Sequence, residues 1–353
     1  MKRSKILRRF IGNLANLARR RPAILLTNIL LTKNCTQRCL QCSIPLETGT
    51  DSMMTLKNFK KLIDKLDSYG TQAITLSGGD PMLHPHLLDC IEYSRSKHFG
   101  NIHLLTTLYG PDKLVERTID TVLETGVSIS ISFDGFGEIA DKLRGGKDVA
   151  AIVMKNLESL HRRNIKLKKP VRTGANIVIN NLNLHQVPKI LDYLESLRWH
   201  TDVDIYRWAS TNQQEMEPLK LLNSLELQEV IKRVKASPVV FTPDWLFDGF
   251  EDYLNGKSPK LCPYLLSPAL GSKFFIDPDG AVKVCIGESV GNIFQNSPEE
   301  IFESELWQQK IIEFKGCKGC WNTCYTTSAR PLHIGRIKDL KKVIRATKFK
   351  HKK

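Results

Sequence analysis

Three cysteines set the first chemical question. Cys35, Cys39 and Cys42 form a C-x3-C-x2-C array within Lys33-Asn34-Cys35-Thr36-Gln37-Arg38-Cys39-Leu40-Gln41-Cys42, directly after an apolar run. That spacing lets the thiolates converge on one face of a tight loop. Iron–sulfur clusters are held by Cys thiolates and normally take four of them. Three local ligands therefore leave either a distant fourth cysteine or an iron open to an outside molecule, and an open iron is a place for chemistry.

A second cysteine set lies near the other end of the chain: Cys262, Cys285, Cys317, Cys320 and Cys324. Two short apolar runs around Asp277-Pro278-Asp279-Gly280 read as a β-hairpin between the first two. Such a hairpin brings Cys262 and Cys285 together, and two of the last three cysteines can close a four-thiolate site. Chemistry alone leaves a structural zinc and another iron–sulfur cluster both open. The ninth cysteine, Cys90, sits among Leu87, Leu88 and Ile91 in a helical stretch and reads as a small buried hydrophobe. An odd count in uneven clusters suits metal binding in a reducing cytosol better than a disulfide framework.

The elements that must position the first array alternate in a β-α rhythm. Candidate strands are Ile24 to Leu31, Ala73 to Leu76, Ile102 to Thr106, Val127 to Phe133, Arg172 to Ile179 and Val203 to Trp208. Helical stretches lie near 56–69, 86–96, 112–124, 149–162 and 184–197. Six such units in series imply a parallel sheet with helices outside. Six strands are too few for a closed eight-stranded barrel, so the expected fold is α/β, a partial (β/α)6 TIM-like barrel over 23–210 or an open doubly wound sheet. In either form the site belongs at the C-terminal strand ends, where the cysteine array sits. A helical linker over 211–260, with Leu225 to Lys235 as a helix, leads to a small α+β module over 261–330.

Other residues at those strand ends can bind a small ligand. Ser77-Gly78-Gly79-Asp80-Pro81 follows the second strand. Paired glycines let backbone approach closely with free N–H and C=O groups, and Asp80 can accept from an amine. Ser132 at the end of the fourth strand and Arg144 twelve residues later can together hold a carboxylate. Asp134, Tyr206 and Asp244 are candidates for moving a proton. His84 and His86, flanking Pro85, read as turn histidines.

The cysteine array, Gly-Gly-Asp-Pro, and Ser132 with Arg144 together resemble the radical S-adenosylmethionine (SAM) enzymes over roughly residues 23–210. The resemblance implies that Cys35, Cys39 and Cys42 hold a four-iron four-sulfur cluster whose fourth iron is chelated by SAM. It implies that Gly78, Gly79 and Asp80 contact the methionine amine, and that Ser132 and Arg144 hold its carboxylate. Asp80 stands where the family usually has Glu, and Gln41 stands where an aromatic residue often packs on adenine. Gly280-x4-Cys285, Gly291-Asn292-Ile293 and the terminal cysteines resemble the SPASM or shorter twitch extension. That likeness favours one auxiliary four-iron four-sulfur cluster, with Cys262, Cys285, Cys317 and Cys320 as the best match and Cys324 competing for the last place. A flavodoxin- or ferredoxin-like reductant protein is expected with such an enzyme; the resemblance implies a peptide substrate, whereas the basic ends of the chain favour an acidic or lipid-linked small molecule.

Charge is concentrated at the ends. Of the formal +15, residues 1–21 hold eight Lys or Arg and no acid, and residues 336–353 hold nine and one Asp. The stretch between is nearly neutral. Leu7, Phe10, Ile11, Leu14, Leu17 and Ala18 fall at helical spacing, so residues 1–22 read as a basic amphipathic helix. The tail over 331–353 repeats the theme with Ile337, Leu340, Val343 and Ile344 among lysines. Neither a signal peptide nor a membrane span is expected, which places the protein in the cytoplasm with peripheral contact to anionic lipid. The rival reading is a non-catalytic iron–sulfur or zinc protein binding nucleic acid through its ends. The near-neutral body with few aromatics in the tails argues against it.

Overall fold

A computed structural model describes residues 22–42, 53–206, 217–257, 273–285 and 288–317, together with 7, 11–13, 15 and 44. Six parallel strands appear in chain order: β1 (Leu26–Thr32), β2 (Ala73–Gly78), β3 (Asn101–Thr106), β4 (Ser128–Ser132), β5 (Thr173–Ile179) and β6 (His200–Ile205). They stand side by side in that order, each paired with its predecessor. The helices between them are α1 (Leu56–Tyr69), α2 (Leu87–Ser96), α3 (Asp112–Thr125), α4 (Gly137–Arg144), α5 (Val149–Asn164) and α6 (Val187–Ser196). Of the two forms the six-unit rhythm allows, this is the partial TIM-like barrel: the strand order runs on without the reversal of a doubly wound sheet.

Local chemistry sets most boundaries. At α1, Thr55 caps the first turn by accepting from the Asn58 N–H, and Gly70 ends it at φ 98°. At α3, Gly126 does the same at φ 67°. The sixth strand begins three residues before the expected Val203, because Arg198 turns the chain at φ 53° right after α6 and His200 already pairs with Gly174. The short helix α4, which ends at Arg144, is not among the expected helical stretches.

The sheet has two chemically distinct faces. Ile29, Leu31, Ile74, Leu76, Leu104, Ile129, Ile131, Ala175, Ile177, Val203 and Ile205 point to one side and are all at most 1% exposed, packed under the helices. The alternate positions are mostly polar, Asn28, Thr75, His103, Ser130, Asn176 and Asp202 among them, with Leu30, Leu105 and Val178 between. Parallel strands are usually apolar on both faces, so the polar set marks the concave side as an interior that is not filled by core packing.

The region after β6 is more tightly joined to the barrel than a linker. Helix α7 (Leu225–Ala236) buries Leu227, Val230, Ile231 and Val234, and the short α8 (Asp244–Asp248) and α9 (Phe250–Leu254) bury Trp245, Leu246, Phe247 and Phe250. Between α7 and α8, Val240 forms a parallel bridge to Thr201 at the β6 edge.

The hairpin is present as β7 (Lys273–Ile276) and β8 (Val282–Lys283). It does not stand apart: β7 pairs in parallel with β1, Leu26 opposite Lys273 through Ile29 opposite Ile276. One sheet of order β6-β5-β4-β3-β2-β1-β7-β8 results. Beyond it, α10 (Pro298–Glu303) opens on a Ser297/Glu300 capping box, and α11 (Glu305–Gly316) ends at Cys317. Lys65 of α1 donates to the carbonyls of Ile293 (2.7 Å) and Asn296 (2.9 Å), and Phe302 packs against Phe274 and Trp307. The extension is therefore built onto the β1 edge, on the strand that leads into the first cysteine array.

Candidate active site

The cysteine loop leaves the end of β1 and is held from three sides. On the β2 side, the Gly79 N–H donates to the Thr32 carbonyl and the Asp80 N–H to the Asn34 carbonyl, both at 2.7 Å. A Cβ on Gly78 would lie 2.2 Å from the Thr32 oxygen, and one on Gly79 2.2 Å from the Asn34 oxygen. On the β3 side, Thr36 Oγ1 donates to the Tyr109 carbonyl at 2.6 Å. At the C-terminal end of α4, the Arg38 N–H donates to the Arg144 carbonyl (3.0 Å) and the Leu40 N–H to that of Leu143 (2.9 Å). Gly145 closes against the Arg38 carbonyl, 2.4 Å from its would-be Cβ.

The paired glycines thus act differently from the free-backbone reading. The N–H groups of Gly79 and Asp80 are spent on the cysteine loop, and the missing side chains are what allow that approach.

Asp80 needs a second correction. Its Oδ1 accepts from the Met82 N–H (3.1 Å) and Thr106 Oγ1 (2.6 Å), and its Oδ2 from the Thr107 N–H (3.0 Å) and Thr107 Oγ1 (2.5 Å). Four donors fill a carboxylate's acceptor directions, so this side chain is not directed at an external amine. It fixes the loop after β3 instead. Burial is the main influence on its pKa and raises it, against those four hydrogen bonds.

Within the loop, the Gln37 N–H points at Cys35 Sγ (3.4 Å), and the Cys42 N–H closes a turn on the Cys39 carbonyl (3.1 Å). Burial foremost, with Asp80 and the sulfurs of Cys39 and Cys42 nearby, pushes the Cys35 thiol up to about 12. All three cysteines are half-buried. Ligation would require deprotonation, so loading of such a site releases protons.

Arg144 is buried beside this loop. Its Nη1 donates to Cys39 Sγ at 3.7 Å and its Nη2 is ion-paired with Asp134. Burial works against its charge, but Asp134 and the Cys39 sulfur hold its pKa above the ordinary arginine value. Asp134 also accepts from the Val178 N–H at 2.7 Å, so it is the counter-ion of Arg144 rather than a free proton acceptor. Ser132 ends β4 opposite Asn176 in register, and its hydroxyl has no hydrogen-bond partner among the described residues. The structure brings Ser132, Arg144 and the three cysteines to the same end of the sheet.

Three buried polar atoms at this site have no hydrogen-bond partner among the described residues: Arg144 Nε, Gln41 Oε1 and Asp134 Oδ2, the last of them ion-paired with Arg144. Such atoms are costly unless a further molecule satisfies them. The residue types fit a cluster on Cys35, Cys39 and Cys42 with an amino-acid cofactor beside it: three thiols, a cation, an open hydroxyl and an open amide oxygen, although among the described residues no three metal-ligating side chains are already gathered as a metal site.

The remaining sequence candidates fall elsewhere. His84 is buried with Nε2 2.7 Å from the Met54 carbonyl, and His86 pairs with Asp89, so both are turn residues. Cys90 is fully buried and its thiol is pushed up to about 12 by burial. Tyr206 is buried just past β6, and Asp244 opens α8. Of the second cysteine set, Cys285 follows β8 half-buried and Cys317 is exposed after α11; Cys262, Cys320 and Cys324 lie outside the described residues. The sequence reading missed Thr106 and Thr107, and the polar concave face. The signal for the latter is the alternation His200, Asp202, Asp204 against Thr201, Val203, Ile205 in what should be an apolar strand.

Comparisons with known proteins show the family and the fold. Residues 29–194 match the model of the Radical SAM superfamily, and residues 268–325 match SPASM, an iron-sulfur cluster-binding domain. Fe-coproporphyrin III synthase of Methanosarcina barkeri is 29% identical over 168 residues, 47% of this chain and 39% of that protein. PqqA peptide cyclase of Bradyrhizobium diazoefficiens is 26% identical over 323 residues, 86% of this chain and 79% of that protein. The chain therefore spans well under half the length of the first relative and about four-fifths of the second. Structures of Streptococcus suis SuiB share the fold. The one bound to S-adenosylmethionine has a TM-score of 0.63 at 12% identity, covering 84% of this chain and 70% of SuiB. The one bound to precursor peptide SuiA has a TM-score of 0.61 at 13% identity, covering 88% and 73%. The family's cofactors are a four-iron four-sulfur cluster and SAM, with auxiliary iron–sulfur binding in the extension. The chain belongs to the radical SAM superfamily and carries a SPASM-type iron–sulfur extension.

Proposed function

We propose that this protein reductively cleaves SAM at a cluster on Cys35, Cys39 and Cys42 and abstracts hydrogen from a substrate on the concave face of the barrel. The observation that carries the reading is the three-sided clamp on the cysteine loop, with Arg144 against Cys39 and open polar atoms beside it. When bound, the cluster supplies one electron to SAM, which yields methionine and a 5′-deoxyadenosyl radical. The residues of this chain do the positioning. Ser132 and the Nε of Arg144 face the SAM carboxylate, the carbonyls of Gly78 and Gly79 accept from its amine, and Gln41 Oε1 accepts from the adenine amino group. Asp80 and Gly79 keep the cysteine loop in register with the β2 loop.

Cys262, Cys285, Cys317 and either Cys320 or Cys324 would hold an auxiliary cluster, which would supply an acceptor for one electron from the substrate radical and so make the net reaction an oxidation or bond formation, or would only orient the substrate. The attachment of β7 to β1 supports this pairing, because it ties the Cys285 hairpin to the strand that leads to Cys35. Anaerobic reconstitution should give about eight irons per chain, two four-iron clusters, and SAM cleavage under reduction by a flavodoxin- or ferredoxin-like protein. About four irons with one zinc would leave the extension structural. PqqA peptide cyclase, and SuiB with its precursor peptide, support a peptide as the substrate class; an acidic or lipid-linked molecule is the other reading.

Peripheral membrane contact belongs to the same proposal. No helix among the described residues is long and apolar enough to cross a membrane. In the N-terminal helix, Leu7 and Ile11 are 58% and 56% exposed, while Asn13, on the opposite side by helical spacing, is buried and donates to the Gly70 carbonyl at 2.9 Å. An apolar pair turned outward in a segment with eight basic residues and no acid fits an anionic lipid surface. Liposome flotation should recover the full chain with anionic vesicles, and Leu7→Glu with Ile11→Glu should abolish recovery. Equal recovery of both forms contradicts the contact.

A further inference from the structure

Beside Ser132, the concave face carries further polar side chains to which the SAM placement proposed above gives no role. Asn176 of β5 stands in register with Ser132 of β4 on one side and with Asp202 of β6 on the other, and Val178 is opposite Asp204. Register partners in a parallel sheet share a face, so Ser132, Asn176 and Asp202 form one row across three strands. Asp204 lies one step nearer the C-terminal ends, about 7 Å further along β6.

This row is charged and open. Asp202 is enclosed by protein on several sides, yet its side chain is 55% exposed, as expected for a group lining an unfilled interior. Its neighbours sit toward the N-terminal rim. His200 Nε2 is 3.6 Å from Asp202 Oδ2, and the His200 ring is stacked on Phe241 (3.5 Å between centroids) and touched by Arg172 Nη2 at 3.0 Å. His103 is neutral at pH 7, since burial pushes its pKa down to about 4. Burial alone would raise the Asp202 pKa, but the His200 hydrogen bond and the charges of His200 and Arg172 lower it on balance, so the group is ionised. Asp204 accepts from the Ile205 N–H at 2.8 Å through Oδ1. Two carboxylates on one strand face, with an amide between them and Ser132, make an acceptor-rich wall.

We infer that Asn176, Asp202 and Asp204 form the substrate-recognition wall of this enzyme, and that the part of the substrate held against it carries hydrogen-bond donors, amine or hydroxyl, and no phosphate or carboxylate. The inference rests on the function proposed above, because it is that reading which places substrate on the concave face beside Ser132. A like-charged group against the wall would meet the ionised Asp202 in a partly desolvated space. An ammonium or a set of hydroxyls would gain charge-assisted hydrogen bonds there. An acidic substrate, if used, must keep its anionic group away from β6.

The test is calorimetric titration of the reconstituted full chain, with SAM present and no reductant, using three probes: 1,4-diaminobutane, myo-inositol and glutarate. The diamine or the inositol should bind and glutarate should not. Binding of the diamine alone identifies the donor as an amine; binding of inositol alone identifies it as hydroxyl. Asp202→Asn combined with Asp204→Asn should weaken the bound donor probe about tenfold, the loss of a charged hydrogen bond, with iron content and unfolding midpoint as folding controls. If that variant does not load iron, the ranking of the three probes on the unmodified chain decides alone. Glutarate binding as tightly as either donor probe, no binding of either donor probe, or unchanged affinity in a loaded variant overturns the inference. No turnover is involved, so a chain that ranks the probes as expected but never cleaves SAM overturns the proposed function and leaves the wall standing.

Discussion

Replacing Gly79 with alanine is expected to strip the core cluster from a chain that retains all three of its cysteines. The added Cβ would sit 2.2 Å from the Asn34 oxygen and 2.5 Å from both the Asn34 carbon and the Lys33 oxygen. All of these are backbone atoms, so no side chain can swing aside. Either the β2 loop or the cysteine loop must move, and the 2.7 Å hydrogen bonds from Gly79 to Thr32 and from Asp80 to Asn34 must break. Overpacking of a tight site commonly costs about 1–3 kcal/mol, and here the strain falls on the loop that sets the separation of the thiols. Reconstituted iron should drop from about eight to about four per chain. SAM cleavage should fall about a hundredfold or more, equivalent to ~3 kcal/mol of barrier. Gly12→Ala, where the new methyl meets nothing within 4 Å, should leave iron content unchanged. Full iron in the Gly79 variant would show that the clamp is dispensable.

Asp134→Asn is expected to be the most destabilising conservative change in the barrel. The substitution keeps an oxygen for the Val178 N–H but removes the only acid ion-paired with Arg144 among the described residues. Asp134 is fully buried at its side chain and Arg144 is nearly so, at 10% exposure. Breaking a buried pair from one side costs about 3–5 kcal/mol, because the remaining charge is left uncompensated. Urea unfolding of the cluster-free chain should show a loss of that size. A loss below about 1 kcal/mol, the range of exposed pairs, would mean that Arg144 is balanced by Cys39 alone.

The fold was largely legible because the β-α rhythm depends on periodicity and on turn residues that act locally. Five of the six parallel strands lie within a few residues of their expected bounds, and Gly70 and Gly126 end their helices for the reason their type suggests. What was not legible depended on long-range pairing. Nothing in the Phe274-Phe275-Ile276 run says that it will add to β1 rather than form a sheet of its own; that choice is made by register across nearly 250 residues. The site shows the same divide. Residue type and spacing single out Cys35, Cys39, Cys42, Gly78, Gly79, Ser132 and Arg144 as expectations, and the structure brings Ser132, Arg144 and the three cysteines to one end of the sheet while Gly78 and Gly79 pack against the cysteine loop. Type alone assigned Asp80 to an amine, whereas Thr106 and Thr107 claim it, and those partners lie on another strand. Asp134 was likewise a free proton carrier in sequence and a buried counter-ion in space. The polar wall was visible as alternation in β6, but only the sheet order shows that Asn176 and Ser132 continue it.

The most direct test of the central claim is anaerobic incubation of the reconstituted full chain with SAM and a one-electron reductant, measuring 5′-deoxyadenosine and methionine together. The account predicts equal amounts of the two products from the unmodified chain. It also predicts about a thousandfold less, some 4 kcal/mol of barrier, from Cys39→Ala, in which one thiolate and the partner of Arg144 Nη1 are both removed. Absence of both products from a fully iron-loaded chain, or their undiminished formation by the Cys39 variant, would contradict it.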